Sequence, residues 1–112
     1  MKIIGFVWLE DIVEELEQKH QVRQHEVREV FANLPRFRYV EKGHRSGENV
    51  YATLGRTDSG RYFIVFFVYR KDKQAPIVSA RDMTQSERRR YEKRLEFYFK
   101  GTLLQRDWRV LG

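Results

Sequence analysis

Residues 61–69 read RYFIVFFVY, an almost unbroken run of aromatic and branched side chains. Such side chains favour β-strands, and apolar residues at successive positions are typical of a strand that is covered on both faces of a sheet. The turn signal Asp58-Ser59-Gly60 precedes the run, and the charged residues 70–73 follow it. We therefore expect a central strand with a sheet built around it.

Three further strands are expected beside this central one. Residues 37–41 alternate between apolar and polar side chains, and residues 43–47 indicate a turn. Residues 50–54 alternate again and lead into the turn before the apolar run. Residues 77–80 form the last strand, which ends at Arg81. These strands are expected to form a four-stranded, mainly antiparallel sheet.

Two short amphipathic helices are expected before the sheet. The first covers about residues 9–20, because its apolar residues recur at i, i+3, i+4 and i+7 while its acids lie off that face. The second carries Val27, Val30 and Phe31 on one side and ends at residues 33–35.

A third helix is expected to follow the sheet. Thr84 and Glu87 fit a capping box, in which the threonine hydroxyl and the glutamate carboxylate satisfy free backbone N–H groups. Its apolar face comprises Tyr91, Leu95, Tyr98 and Phe99. Gly101 is expected to end the helix, and the extension 101–112 is expected to pack on the domain. The predicted fold is α+β, with two N-terminal helices, a four-stranded mainly antiparallel sheet and a C-terminal helix, in one domain over residues 1–112.

Composition excludes several protein classes. The chain has 112 residues and no cysteine, which excludes disulfides, thiolate zinc sites and cysteine nucleophiles and makes a reducing cytoplasm the expected location. No apolar stretch approaches the roughly 20 residues that a membrane span needs. Acids at positions 10 and 11 follow residues 1–8 too closely for a signal-peptide core, so we expect these residues to belong to the fold.

The net charge of +6 is unevenly spread along the chain. Residues 1–17 carry one lysine and five acids, so the rest of the chain carries +10. Clustered cations favour a polyanionic partner, although a solvated basic surface is the alternative. Arginines stand at the ends of the predicted strands and on the last helix, at Arg45, Arg56, Arg61, Arg81, Arg88, Arg89 and Arg90. Guanidinium groups form paired hydrogen bonds with phosphate oxygens, so phosphates are the expected ligand.

Most enzyme templates do not fit the sequence. The histidines lack the helical spacing of a paired metal site, and we find neither a Ser/His/Asp nucleophile turn nor a Gly-rich nucleotide loop. We therefore expect no metal and no cofactor. RNA can be cleaved without either, because its own 2′-hydroxyl attacks the adjacent phosphate. The site must then supply a proton acceptor, cations for the phosphate and a proton donor, and this sequence can supply all three.

An ordered set of short motifs runs from about residue 6 to residue 94. It comprises Trp8, Lys19-His20 with Val22, Val27 with Val30-Phe31, Gly55-Arg56-Thr57, Gly60-Arg61, residues 77–81, and Glu87-Arg88 with Tyr91. In this order the motifs resemble those of the BrnT toxins. The resemblance implies a RelE-like fold, ribonuclease activity that arrests translation, and neutralisation by a BrnA-like antitoxin with a ribbon-helix-helix DNA-binding part.

Two features depart from the family pattern. Gln21 stands where the family usually has glycine, so the turn after the first helix is expected to hold an ordinary side chain at a cost in strain. The extension 101–112 reaches past the part of the chain that resembles the family.

Four residues are candidates for the catalytic steps. Arg81 is expected to stabilise the phosphate or, alternatively, to pair with Asp82 or Glu87. His20 is a candidate proton shuttle or a cation at the end of its helix. Glu87 is a candidate acceptor of the 2′-hydroxyl proton or simply the capping residue. Tyr91 is a candidate proton donor or base-stacking ring, or part of the core.

Three arginines are candidates for binding the RNA backbone. Arg88 lies one helical turn from Tyr91, a spacing that suits a phosphate clamp with a phenol beside it. Arg56 and Arg61 flank the turn before the central strand and are phosphate contacts or surface charges. The leading hypothesis is a metal-independent ribonuclease toxin of a type II toxin-antitoxin system. The alternative is a non-catalytic nucleic-acid- or partner-binding module on the same scaffold.

Overall fold

The computed structural model describes residues 1–96. Its elements are, in chain order, β1 (Gly5–Val7), α1 (Glu10–His20), α2 (Gln24–Ala32), β2 (Arg36–Arg45), β3 (Glu48–Arg56), β4 (Tyr62–Val68), β5 (Gln74–Asp82) and α3, which covers residues 85–96. The predictions for Tyr98, Phe99, Gly101 and the extension 101–112 lie outside the described residues. Within the described part of the chain, no helix is long and apolar enough to cross a membrane.

The strands form one five-stranded mixed sheet in the order β1-β5-β4-β3-β2. Strand β4, which holds the apolar run, lies at the centre as predicted. Strands β2 to β5 pair antiparallel, whereas β1 pairs parallel with β5 and places Gly5 opposite Gln74. The α+β class and the two N-terminal helices are confirmed. The prediction of four strands is wrong, because a strand as short as the three-residue β1 shows no alternating period in the sequence.

The β2–β3 hairpin is longer than the sequence pattern indicates. Strand β2 continues to Arg45, so the turn predicted for residues 43–47 is limited to Ser46 and Gly47. Gly43 lies inside the strand, and a β-carbon there would overlap the carbonyl oxygen of Glu48. Gly43 was predicted to be part of the turn, but it lies within β2 and allows the two strands to approach closely.

The sheet is covered on both faces, which explains the successive apolar residues of β4. Phe63, Val65 and Phe67 pack in one cluster with residues of α1 and α2. Ile64 points the other way and packs in a second cluster with Tyr91 of α3. All four of these β4 side chains are buried. Helices α1 and α2 therefore lie on one face of the sheet and α3 lies on the other.

The turn between α1 and α2 holds a non-glycine residue in the left-handed backbone region, which is the source of the strain that the sequence predicts. Gln21 directly follows α1 with φ 52° and ψ 43°, in the left-handed region. An ordinary side chain in this region costs roughly 1–2 kcal/mol. The side-chain amide of Gln21 donates to the carbonyl of Gln18 at 3.1 Å, which offsets part of that cost.

Candidate functional site

Arg81 is held near the end of β5, on the sheet face that α3 covers. It lies opposite Ile64 in the β4–β5 pairing. Its Nη1 donates to Oε1 of Glu87 at 2.8 Å, and its Nη2 donates to Oε2 at 3.1 Å. This two-bond geometry is the one that a guanidinium also offers to a phosphate group. The pairing with Glu87, predicted as an alternative to phosphate binding, is present.

Glu87 connects Arg81 to the start of α3. Its Oε1 also accepts from the N–H of Thr84 at 2.8 Å, and the N–H of Glu87 donates to the Thr84 hydroxyl at 3.1 Å, so the predicted capping box is confirmed. Nη2 of Arg38 lies 4.0 Å from Oε2. The hydrogen bonds from Arg81 lower the pKa of Glu87 to about 2, although burial acts in the opposite direction. Glu87 is therefore ionised at neutral pH and is a weak proton acceptor while this pair persists.

The low pKa of Glu87 predicts a loss of stability in acid. A carboxylate whose pKa falls on folding stabilises the protein above its ordinary pKa, and the contribution disappears as the pH falls from about 4.5 towards about 2. We expect it to be about 2 kcal/mol at neutral pH, after allowance for the partial solvent exposure of the pair. Urea unfolding of the wild type and Glu87→Gln should differ by this amount at neutral pH and converge in acid. An equal difference in the free energy of unfolding at neutral and acidic pH would contradict the low pKa of Glu87.

Arg56 and Arg88 meet at the ring of Tyr62. The guanidinium carbon of Arg88 lies 4.0 Å from the ring centroid, and that of Arg56 lies 4.8 Å from it. Nε of Arg88 also donates to Glu92 at 3.0 Å, which fixes the direction of this side chain. Two of the three arginines predicted to bind phosphates are thus brought together, beside the aromatic ring of Tyr62 rather than beside Tyr91.

Tyr91 is a core residue with an engaged hydroxyl group. It is 2% exposed, and its hydroxyl donates to the carbonyl oxygens of Leu34 at 3.1 Å and Asn33 at 3.3 Å. Burial raises the pKa of this phenol. Tyr91 therefore fixes α3 to the segment between α2 and β2, as the core alternative in the sequence predicts.

Arg61 and His20 lie with α1 and α2, on the opposite face from Tyr91. Nη1 of Arg61 donates to the carbonyl of Gln21 at 2.7 Å and to Oε2 of Glu26 at 3.0 Å. The guanidinium carbon stacks 4.4 Å from the ring centroid of Phe63. The imidazole of His20 has no hydrogen-bond partner among residues 1–96. The structure thus brings Arg81 and Glu87 together on one face of the sheet and places His20 and Arg61 on the other. Asp82 contacts both arginines, because its Oδ1 lies 3.7 Å from Nη2 of Arg61 and its carbonyl accepts from Nη1 of Arg81 at 3.1 Å.

A groove between β2 and α3 contains four arginines, of which the sequence pattern singled out only Arg90. Four arginines line this arginine groove, which has a volume of about 170 Å³, namely Arg36, Arg38, Arg90 and Arg94, together with Tyr91. Arg36 and Arg38 are two apart on a strand, and Arg90 and Arg94 are four apart on a helix, so each pair shares a face of its element. These two spacings are visible in the sequence, but the packing of α3 over β2 is not.

Comparison with known protein families gives a match over most of the chain. A family model described as "Ribonuclease toxin, BrnT, of type II toxin-antitoxin system" matches residues 8–87, which is more than half of the chain. No curated protein matches the chain. The matched range begins at Trp8 and ends at Glu87, so it includes both partners of the Arg81–Glu87 pair. Among the described residues, no group of three or more His, Asp and Glu side chains is placed to hold a metal ion.

Proposed function

Because the chain belongs to the BrnT family of ribonuclease toxins from type II toxin-antitoxin systems, we propose that it cleaves RNA without a metal ion, by attack of a 2′-hydroxyl on the adjacent phosphate. A bond forms between the 2′-oxygen and phosphorus, and the bond from phosphorus to the 5′-oxygen breaks. One proton leaves the 2′-hydroxyl and another reaches the departing 5′-oxygen. The products carry a 2′,3′-cyclic phosphate and a 5′-hydroxyl.

The bidentate pair of Arg81 and Glu87 is the observation that carries this proposal. The two N–H groups that donate to the carboxylate have the geometry to donate to two oxygens of a phosphate instead. The Arg81 side chain is 37% exposed, so a phosphate can reach it from solvent. Negative charge grows on the phosphate oxygens during attack, and Arg81 therefore stabilises the transition state more than the ground state.

When a phosphate replaces the Glu87 carboxylate as the acceptor of the Arg81 hydrogen bonds, Glu87 also becomes able to accept a proton. The hydrogen bond from Arg81 is the largest cause of the low pKa of Glu87, so its loss raises that pKa towards the ordinary value. The freed carboxylate then lies beside the bound phosphate and accepts the 2′-hydroxyl proton. His20 is the second candidate for proton transfer, and solvent water supplies the proton that the departing 5′-oxygen takes up. We assign no proton transfer to Tyr91, because its hydroxyl proton is already shared with the carbonyl oxygens of Asn33 and Leu34.

We assign different roles to the three arginines that the sequence predicts to bind the RNA backbone. Arg56 and Arg88 are proposed to bind phosphates next to the cleaved one, because their guanidinium groups lie together at the ring of Tyr62. Arg61 is proposed to position the α1–α2 turn, because its donors are directed to Gln21 and Glu26.

The chemical step is tested with purified protein that has been separated from any partner. We expect cleavage of RNA in the presence of EDTA, products with cyclic phosphate ends, and no cleavage of DNA of the same sequence, which lacks the 2′-hydroxyl. An RNA made with a single 2′-O-methyl group at the mapped cleavage position should resist cutting there. Cleavage that stops in EDTA, or that proceeds at the blocked position, would contradict the proposed chemistry.

The biological role that we propose is that of a RelE-like toxin acting in the cytoplasm, where it arrests translation until a BrnA-like ribbon-helix-helix antitoxin binds it. The net charge of +6 suits an acidic partner. Expression of the chain alone is expected to slow growth, and expression of the neighbouring antitoxin with it should restore growth. Normal growth with abundant wild-type protein would contradict the toxin role.

The second candidate function is binding of nucleic acid or a partner without catalysis. It is favoured by one observation, namely that Glu87 already occupies the Arg81 donors that the proposed chemistry needs. A protein of this kind binds RNA with a steep salt dependence and yields no product. The cleavage assay in EDTA therefore distinguishes the two functions.

A further inference from the structure

The arginine groove contains charge that the rest of the described protein does not balance. The side chains of Arg36, Arg90 and Arg94 form no ion pair and no hydrogen bond with another residue of the range 1–96. All three are exposed. Glu87 lies beside the groove, 4.0 Å from Arg38, and already binds Arg81. Exposed guanidinium groups without a protein acceptor are available for an external anion.

The groove reaches the position of Arg81 through one of its own lining residues. Nη2 of Arg38 lies 4.0 Å from Oε2 of Glu87, and the Glu87 carboxylate accepts both hydrogen bonds from Arg81. The side chains of Arg38 and Arg81 are 48% and 37% exposed, so this link lies at the surface. One extended ligand can therefore contact both the groove and Arg81.

We propose that the arginine groove holds the single-stranded RNA backbone on one side of the cleaved phosphate, with Arg36, Arg90 and Arg94 binding consecutive phosphates. This inference rests on the proposed ribonuclease function and extends it from the reacting phosphate to the flanking strand. The three arginines bind substrate equally in the ground state and the transition state, so they determine the affinity for RNA rather than the chemical rate.

The chemistry of the groove favours a nucleic-acid strand as its occupant. Four arginines line it, and each guanidinium offers paired hydrogen bonds to a phosphate. The groove also adjoins Glu87 and Arg81, so a strand whose reacting phosphate binds Arg81 can place its neighbouring phosphates there.

The proposal is tested by RNA binding that does not depend on cleavage. The probe is a fluorescent 2′-O-methyl oligonucleotide of about 12 nucleotides, which cannot undergo 2′-hydroxyl attack. The variant is R36Q/R90Q/R94Q, and its control is K2Q/K42Q/K71Q, which removes the same charge at positions outside the groove. Each lost phosphate contact lowers the slope of log affinity against log salt by about 0.7, so the groove variant should lose about 2. That change corresponds to roughly 50-fold weaker binding at physiological salt.

A cleavable RNA gives the second readout. The groove variant is expected to raise KM by a similar factor with kcat nearly unchanged, whereas the control keeps wild-type values. Circular dichroism should show the same fold in all three proteins. If the wild type binds the probe through the groove but cleaves no RNA, the ribonuclease proposal fails and the groove assignment stands. Equal slopes for the groove variant and the control would overturn the groove assignment, and a selective loss of antitoxin binding would assign the groove to that partner.

Discussion

Arg81→Ala is expected to lower the rate of RNA cleavage about 100- to 1,000-fold, because it removes the two donors assigned to the phosphate of the transition state. The effect should appear mainly in kcat, since the charge that Arg81 stabilises develops during attack. Glu87 keeps its hydrogen bond from the N–H of Thr84 in this variant, so the start of α3 is expected to remain folded. Single-turnover cleavage in EDTA measures the loss.

Two further variants separate the geometry of Arg81 from its charge. Arg81→Lys keeps the charge but loses the paired hydrogen bonds, so it should cleave more slowly than the wild type and faster than Arg81→Ala. Arg89→Ala removes an exposed arginine of α3 whose Nε donates to the carbonyl of Gln85, and it should retain nearly full activity. Wild-type rates in Arg81→Ala would remove this residue from the catalytic site while leaving membership of the family intact.

Local patterns in the sequence were sufficient to predict most elements of the fold. The apolar run in β4 predicts a central strand because both faces of that strand are buried, and Thr84 with Glu87 predicts the start of α3 because a capping box is a local interaction. Strand β1 was missed because its stability comes from pairing with β5, more than sixty residues away in the chain. Gly43 was misread because a close approach and a turn both require glycine.

The candidate site was harder to predict, because most of its contacts join distant segments. Arg81 was identified from its place at a strand end, and its partner Glu87 is only six residues away. The arginine groove depends on the register of β2 against β3 and on the path of α3, neither of which a residue spacing reveals. For the same reason the sequence could not show that Tyr91 reaches the carbonyls after α2. Residue type thus indicated phosphate chemistry, and tertiary packing decided which arginines are available for it.

Arg61→Ala is expected to lower the free energy of unfolding by about 3 kcal/mol, because it leaves the carboxylate of Glu26 without its cation. Glu26 is 9% exposed, and Arg61 Nη1 donates to its Oε2 at 3.0 Å. The N–H of Arg23 remains bonded to Oε1, but the carbonyl of Gln21 loses its donor as well. The Arg61 side chain is 34% exposed, so we expect the low end of the range for a buried pair. Urea unfolding at neutral pH gives the difference.

The double variant E26Q/R61A distinguishes a lost ion pair from a lost phosphate contact. Without the carboxylate no uncompensated charge is left, so the double variant should be more stable than Arg61→Ala alone. Because Arg61 is directed to protein acceptors, E26Q/R61A should bind the 2′-O-methyl probe with the same salt slope as Glu26→Gln. A stable Arg61→Ala variant whose slope falls by about 0.7 would instead make Arg61 a phosphate contact, as the sequence predicts. The RNA path would then extend past the ends of β4 and β5 to the α1–α2 face, where the imidazole of His20 would become the favoured proton-transfer group.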